Sequence, residues 1–130
     1  MTSPENIAAP GEITVFYDGG CPLCRREIAH YQGMRGAERV QWIDITEQRQ
    51  RLKDYGIRYD QAMARFHVLD AEGIWQTGAY GFVELWMRLP ALRWLAMTLQ
   101  QLRLLPVIDW AYGHFARRRL KSRCKDSVCT

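Results

Sequence analysis

Five β-favouring residues, Ile13-Thr14-Val15-Phe16-Tyr17, stop at Asp18-Gly19-Gly20, and Cys21-Pro22-Leu23-Cys24 follows at once. An apolar, β-branched run bounded by turn residues reads as a buried strand. Pro22 suits the first turn of a helix, where the N–H it lacks would be unpaired in any residue. A helix is therefore expected from Cys21 to about Met34, closed near Gly33 or Gly36, with Leu23, Ile28 and Tyr31 on its core face. A C-x-x-C that follows a strand and opens a helix is a specific redox signal.

The rest of the chain supplies the partners of that first strand. Val40-Gln41-Trp42-Ile43-Asp44 reads as a second strand. Thr46 can cap a helix over Glu47 to Tyr55, with Gly56 just past its end. Residues 57–64 fit neither pattern. Arg65-Phe66-His67-Val68-Leu69 and Gly73-Ile74-Trp75-Gln76-Thr77 read as strands joined by the turn Asp70-Ala71-Glu72-Gly73, a hairpin. Gly78 to Leu89 places Ala79, Phe82, Val83 and Trp86 on one helical face, and Pro90 ends it. Two more helices are expected, about Ala91–Leu104 and Pro106–Lys121. The order β-α-β-α-β-β-α predicts an α/β fold: a thioredoxin-like mixed four-stranded sheet with additional C-terminal helices.

Composition agrees with one folded domain. The 130 residues are 48% hydrophobic and 25% charged, which excludes a collagen, a coiled coil or a low-complexity linker. Residues 1–11 read as a disordered leader, 12–121 as the domain, and 122–130 as a basic, Cys-containing tail. The N-terminus shows no basic region followed by an apolar stretch, so a cytoplasmic, reducing setting is expected. The most apolar region, Ala79 to Tyr112, is broken by Glu84, Arg88, Arg93, Arg103 and Asp109, which argues against a membrane span. Six of the 18 basic residues lie between Arg117 and Lys125; without them 12 basic face 14 acidic residues. The positive balance thus belongs to the chain's end, and a solvated face is its default reading. Without an interleaved aromatic platform, nucleic acid is not the expected partner.

The chemistry rests on the first cysteine pair. At the cap of a helix, Cys21 would face unpaired backbone N–H groups and the positive end of the dipole, which favour a thiolate. Cys24, one turn in, would be the more buried thiol, close enough to attack a mixed disulfide formed on Cys21. Asp18 has two readings: a proton acceptor for Cys24 during resolution, or a loop carboxylate bonding its own turn. No cofactor is expected, because a cysteine pair carries two electrons itself.

Asp18-Gly19-x-Cys21-x-x-Cys24 directly after a strand resembles the DCC family of predicted thiol-disulfide oxidoreductases. The hairpin from Phe66 to Thr77, the Gly78-Ala79 helix start and the Arg-rich helix near a late cysteine extend that likeness over about residues 13 to 124. The resemblance implies a thioredoxin-like fold and dithiol–disulfide exchange, with Asp18, Cys21 and Cys24 as the matched residues. Its partners would be a disulfide- or thiol-bearing protein or small molecule, and a recycling reductase. Leu23 stands where glutaredoxins carry tyrosine. Gln61-Ala62-Met63-Ala64 precede the third strand without the cis-proline of thioredoxins and glutaredoxins.

The second pair, Cys124 and Cys129, has three readings: a relay to the first pair, a four-thiolate zinc site formed by Cys21, Cys24, Cys124 and Cys129, or a tail without a chemical role. The zinc reading would make the chain a binding module with a basic, Trp-rich surface. Four of five tryptophans, Trp75, Trp86, Trp94 and Trp110, fall in the C-terminal half. Packing is their default role, and docking to a partner or a membrane surface is the alternative. His30, His67 and His114 form no ligand pair at helical spacing.

Overall fold

A computed structural model describes residues 12–125, 128 and 129, with side chains through Ser122. The expected leader, 1–11, lies outside the described residues. Strand β1 (Ile13–Tyr17) is one of the two inner strands of a four-stranded sheet of order β2-β1-β3-β4. It runs parallel to β2 (Val40–Asp44), with Ile13 opposite Val40 and Tyr17 opposite Asp44. On its other side it pairs antiparallel with β3 (His67–Leu69), which pairs with β4 (Trp75–Thr77). Helix α1 (Pro22–Gln32) makes the crossover between the parallel strands, and α2 (Tyr59–Ala64) precedes β3. This is the expected thioredoxin-like mixed sheet.

The pleat of β1 explains the core. Ile13 and Val15 point to one face, where they meet Ile28 and Tyr31 of α1, Val68, and Leu85. Phe16 points to the other, against Ile43, Ile45, Leu52 and Met63. These side chains are essentially inaccessible, and burying each contributes roughly 1.5–3 kcal/mol. The hairpin turn is held by Asp70, whose carboxylate accepts from the Glu72 and Ile74 N–H groups at 2.9 and 2.8 Å. Gly73 takes φ 81° there, a conformation open chiefly to glycine.

Helices α3 (Ala79–Met87), α4 (Pro90–Gln101) and α5 (Leu105–Arg123) follow. Pro90 therefore both ends one helix and opens the next. A third core joins Ala79 and Val83 of α3 to Ala96 and Leu105.

The structure corrects or completes four of these readings. The helix expected over Glu47–Tyr55 is a 3-10 segment, Arg49–Tyr55, because the Thr46 hydroxyl and N–H are both bound to the Asp44 carboxylate and cap nothing. The undecided stretch 57–64 holds α2 instead, with the Gln61 side chain accepting from the Arg58 N–H. Leu23 is 55% exposed rather than core. The stretch read as a basic, Cys-containing tail carries a short antiparallel ladder, β5 (Cys124–Lys125) with β6 (Val128–Cys129). Of the tryptophans, Trp75 and Trp86 pack partly against the cores, whereas Trp94 and Trp110 are 65% and 68% exposed. Among the described residues no helix is long and apolar enough to cross a membrane.

Candidate functional site

The end of β1 and the start of α1 meet in a turn held on three sides. The Cys21 N–H donates to the Asp18 carbonyl at 3.2 Å, and the Gly20 N–H donates to Asp18 Oδ1 at 3.0 Å. The Gly19 N–H donates to Asp44 Oδ1 at 3.1 Å, so β2 anchors the turn from the neighbouring strand. Gly19 owes its place to this approach: a Cβ there would collide with the Asp44 carboxylate. Asp44 was not among the residues singled out from sequence; its signal is the pattern Asp44-x-Thr46, an acid that bonds its own turn at a strand end.

Cys21 is the N-cap of α1, with extended backbone (φ −90°, ψ 116°), and its Sγ accepts the Cys24 N–H at 3.4 Å. A sulfur at this position answers one of the helix's unpaired donors, an arrangement that stabilises negative charge on it. Cys24 sits one turn further on. Burial pushes its thiol up to about 12, assisted by its S–H bond to Cys21 and by the charges of Cys21 and Asp18, and opposed by Arg119. Its proton is therefore strongly held.

The order of exposure is the reverse of the expected one. Cys21 is buried, at 6% exposure, and Cys24 is half-buried. The cap residue is folded onto the Asp18–Gly20 turn, whereas Cys24 lies on the side of α1 that borders a small cavity.

Asp18 is buried, and its Oδ2 accepts from Arg119 Nη1 at 3.1 Å; the two side chains are 1% and 7% exposed. Arg119 Nη2 also donates to the Met63 carbonyl at 2.6 Å. Its place in the basic run suggested a solvated charge. It is instead buried, while Arg117, Arg118 and Lys121, the other members of the run with described side chains, are exposed. The signal was helical spacing: Arg119 continues the inward stripe of Tyr112 and Ala116.

Two further tethers hold α5 against the start of α3 and the link between α2 and β3. Asp109 pairs with Arg65 and accepts the Ala79 N–H that opens α3. The Tyr112 hydroxyl accepts the Phe66 N–H at 2.7 Å. Thus α5 closes the cavity, of about 40 Å³, onto which Asp18, Cys24, Glu27, Phe66, Tyr112 and Arg119 open.

The structure brings together Asp18, Cys21 and Cys24. Cys124 and Cys129 face each other in the β5–β6 register, and their side chains lie outside the described residues. Among the described residues no group of three or more His, Cys, Asp or Glu side chains is arranged to hold a metal.

Residues 15–125 match the family model described as DCC1-like thiol-disulfide oxidoreductase. No curated protein and no solved structure matches the chain.

Proposed function

The chain belongs to the DCC1-like thiol-disulfide oxidoreductase family, and from that premise we propose that it exchanges dithiols for disulfides through Cys21 and Cys24. The observation that carries the assignment of roles is the Cys24 N–H bond to Cys21 Sγ, beside a Cys24 thiol pushed up to about 12. One sulfur is prepared to carry charge and the other to keep its proton.

In the reduced protein, the Cys21 thiolate attacks one sulfur of a substrate disulfide. A Cys21–substrate disulfide forms and the first substrate thiolate leaves. Cys24 then loses its proton and attacks Cys21 Sγ. The Cys21–Cys24 disulfide forms, the second substrate thiolate leaves, and two electrons have passed to the substrate. A dithiol reductant reverses the change on the protein.

Asp18 is the acceptor we assign to the Cys24 proton, directly or through a water. The cavity both residues line is large enough for one or two water molecules. Arg119 is a positioning residue that fixes the carboxylate.

The test is trapping with redox titration. Cys24→Ser should accumulate a mixed disulfide on Cys21, and Cys21→Ser should not. With Cys124 and Cys129 replaced by Ser, the remaining pair should titrate as one two-electron couple between about −180 and −300 mV against glutathione. A pair that forms no reversible disulfide would refute the reading. Trapping through Cys24 alone would reverse the roles.

A further inference from the structure

Beside the cavity of Cys24 lies a second, wider cleft of about 330 Å³. Leu23, the residue between the cysteines, stands on its lip and is exposed. Val83 and Trp86 of α3, Leu99 of α4, and Leu105 and Ile108 of α5 form its walls. The two cavities share Glu27, Phe82, Tyr112 and Phe115, so they adjoin. Glu27 is the single charged side chain lining the cleft, and its Oε1 already accepts from the Tyr31 hydroxyl at 2.7 Å.

We propose that this cleft selects the substrate: a low-molecular-weight disulfide whose sulfur carries an apolar arm, the arm lying in the cleft while the sulfur meets the cysteines. The inference rests on the exchange reading above. Three observations carry it. The cavity at Cys24 has room for one or two waters and Cys21 lines neither cavity, so the group that bears the reacting sulfur lies outside that cavity, beside Leu23, which separates the two cysteines and borders the cleft. The adjoining cleft is concave, nearly all apolar and at the lower end of the volumes that take small ligands. The main chain at Phe66, which lines the Cys24 cavity, is already paired on both sides: its N–H donates to Tyr112 and its carbonyl accepts from the Gly78 N–H. An extended polypeptide therefore finds no pairing partner at that residue, and recognition falls to apolar contact.

The experiment follows turnover of diethyl, dipropyl and dibutyl disulfide by the full chain, with dithiothreitol as reductant and the uncatalysed rate subtracted. Bis(2-hydroxyethyl) disulfide is the control; its arm matches the propyl arm with OH in place of CH3. The expected result is a kcat/KM that rises about four-fold per methylene until the cleft is filled, with dipropyl well ahead of the hydroxyethyl compound. Val83→Phe, which narrows the cleft, should flatten the gradient along the alkyl series. Dibutyl sulfide, which cannot exchange, should inhibit dibutyl disulfide turnover competitively in the unmodified protein, a readout that needs no variant to fold. Equal rates along the alkyl series, or a disulfide-bonded polypeptide preferred over dibutyl disulfide, would overturn the cleft assignment and leave the exchange reading standing. No exchange with any of these disulfides would overturn both.

Discussion

Replacing Arg119 by Met is the sharpest perturbation of the fold and the site together. The change keeps a long side chain and removes the guanidinium. Asp18 then keeps a carboxylate at 1% exposure without the cation that faces it at 3.1 Å, and the Met63 carbonyl loses the donor it holds at 2.6 Å. Removing one member of a buried pair costs about 3–5 kcal/mol, because the other charge remains in a low-dielectric surround. Both partners are almost wholly buried, so solvent screening gives little relief. Against a total stability of roughly 5–15 kcal/mol the loss is large, and it corresponds to a fall in Tm of about 10–20 °C for a domain of this size. The assay is urea unfolding of the reduced protein followed by far-UV circular dichroism, with the slope compared to show that the transition is unchanged in kind. Asp18→Asn completes a double-mutant cycle. The double variant should be less destabilised than the sum of the singles by about 1–3 kcal/mol. A loss below about 1 kcal/mol for Arg119→Met, or strict additivity in the cycle, would refute the claim that this pair holds α5 to the turn between β1 and α1.

Other outcomes follow from the same geometry. Gly19→Ala should destabilise the reduced protein by about 1–3 kcal/mol and lower the exchange rate, since the added methyl collides with the Asp44 carboxylate and breaks the Gly19 bond; unfolding midpoints and trapping rates check it. Tyr112→Phe leaves the Phe66 N–H without its acceptor and should cost about 1–3 kcal/mol, read by thermal unfolding. The Cys24 thiol is raised from 9.0 to about 12 on folding, so its contribution to stability is complete below about pH 9 and is lost as pH climbs towards 12. The urea midpoint of the reduced protein should accordingly drop from pH 8 to pH 10.5 by more than that of Cys24→Ser. Rapid alkylation mapped by mass spectrometry should label Cys21 ahead of Cys24 at pH 7, although Cys24 is the more exposed; equal labelling would show that accessibility outweighs charge.

The parts legible in the sequence were those governed by local pattern. The apolar, β-favouring run Ile13–Tyr17 placed β1, the Asp70–Gly73 turn placed the hairpin, and Pro22 marked the start of α1. The parts that escaped depend on which face of an element meets another. Leu23 has the hydrophobicity of a core residue, but its place between the two cysteines turns it onto the cleft's lip. Thr46 has the chemistry of a cap and uses it on Asp44. Arg119 was hidden by its neighbours: a run of like charges suggests solvent, and its register on α5 is what sets it apart from the exposed Arg117, Arg118 and Lys121. The family likeness reached Asp18, Cys21 and Cys24 but carried no word of Asp44 or Arg119. These two fix the turn from a neighbouring strand and from a distant helix.

The bond between Arg119 and Asp18 joins residues 101 positions apart. A ribosome adding ~5–20 residues per second presents the Asp-Gly-Gly-Cys turn ~5–20 s before the arginine that neutralises its acid. During that interval the thiols exist without their counter-charge and without the helix that roofs them. Nascent chains of this protein thus expose a cysteine pair whose oxidation is governed by the unfolded chain, and the redox character of the finished site is set only when synthesis has passed α5.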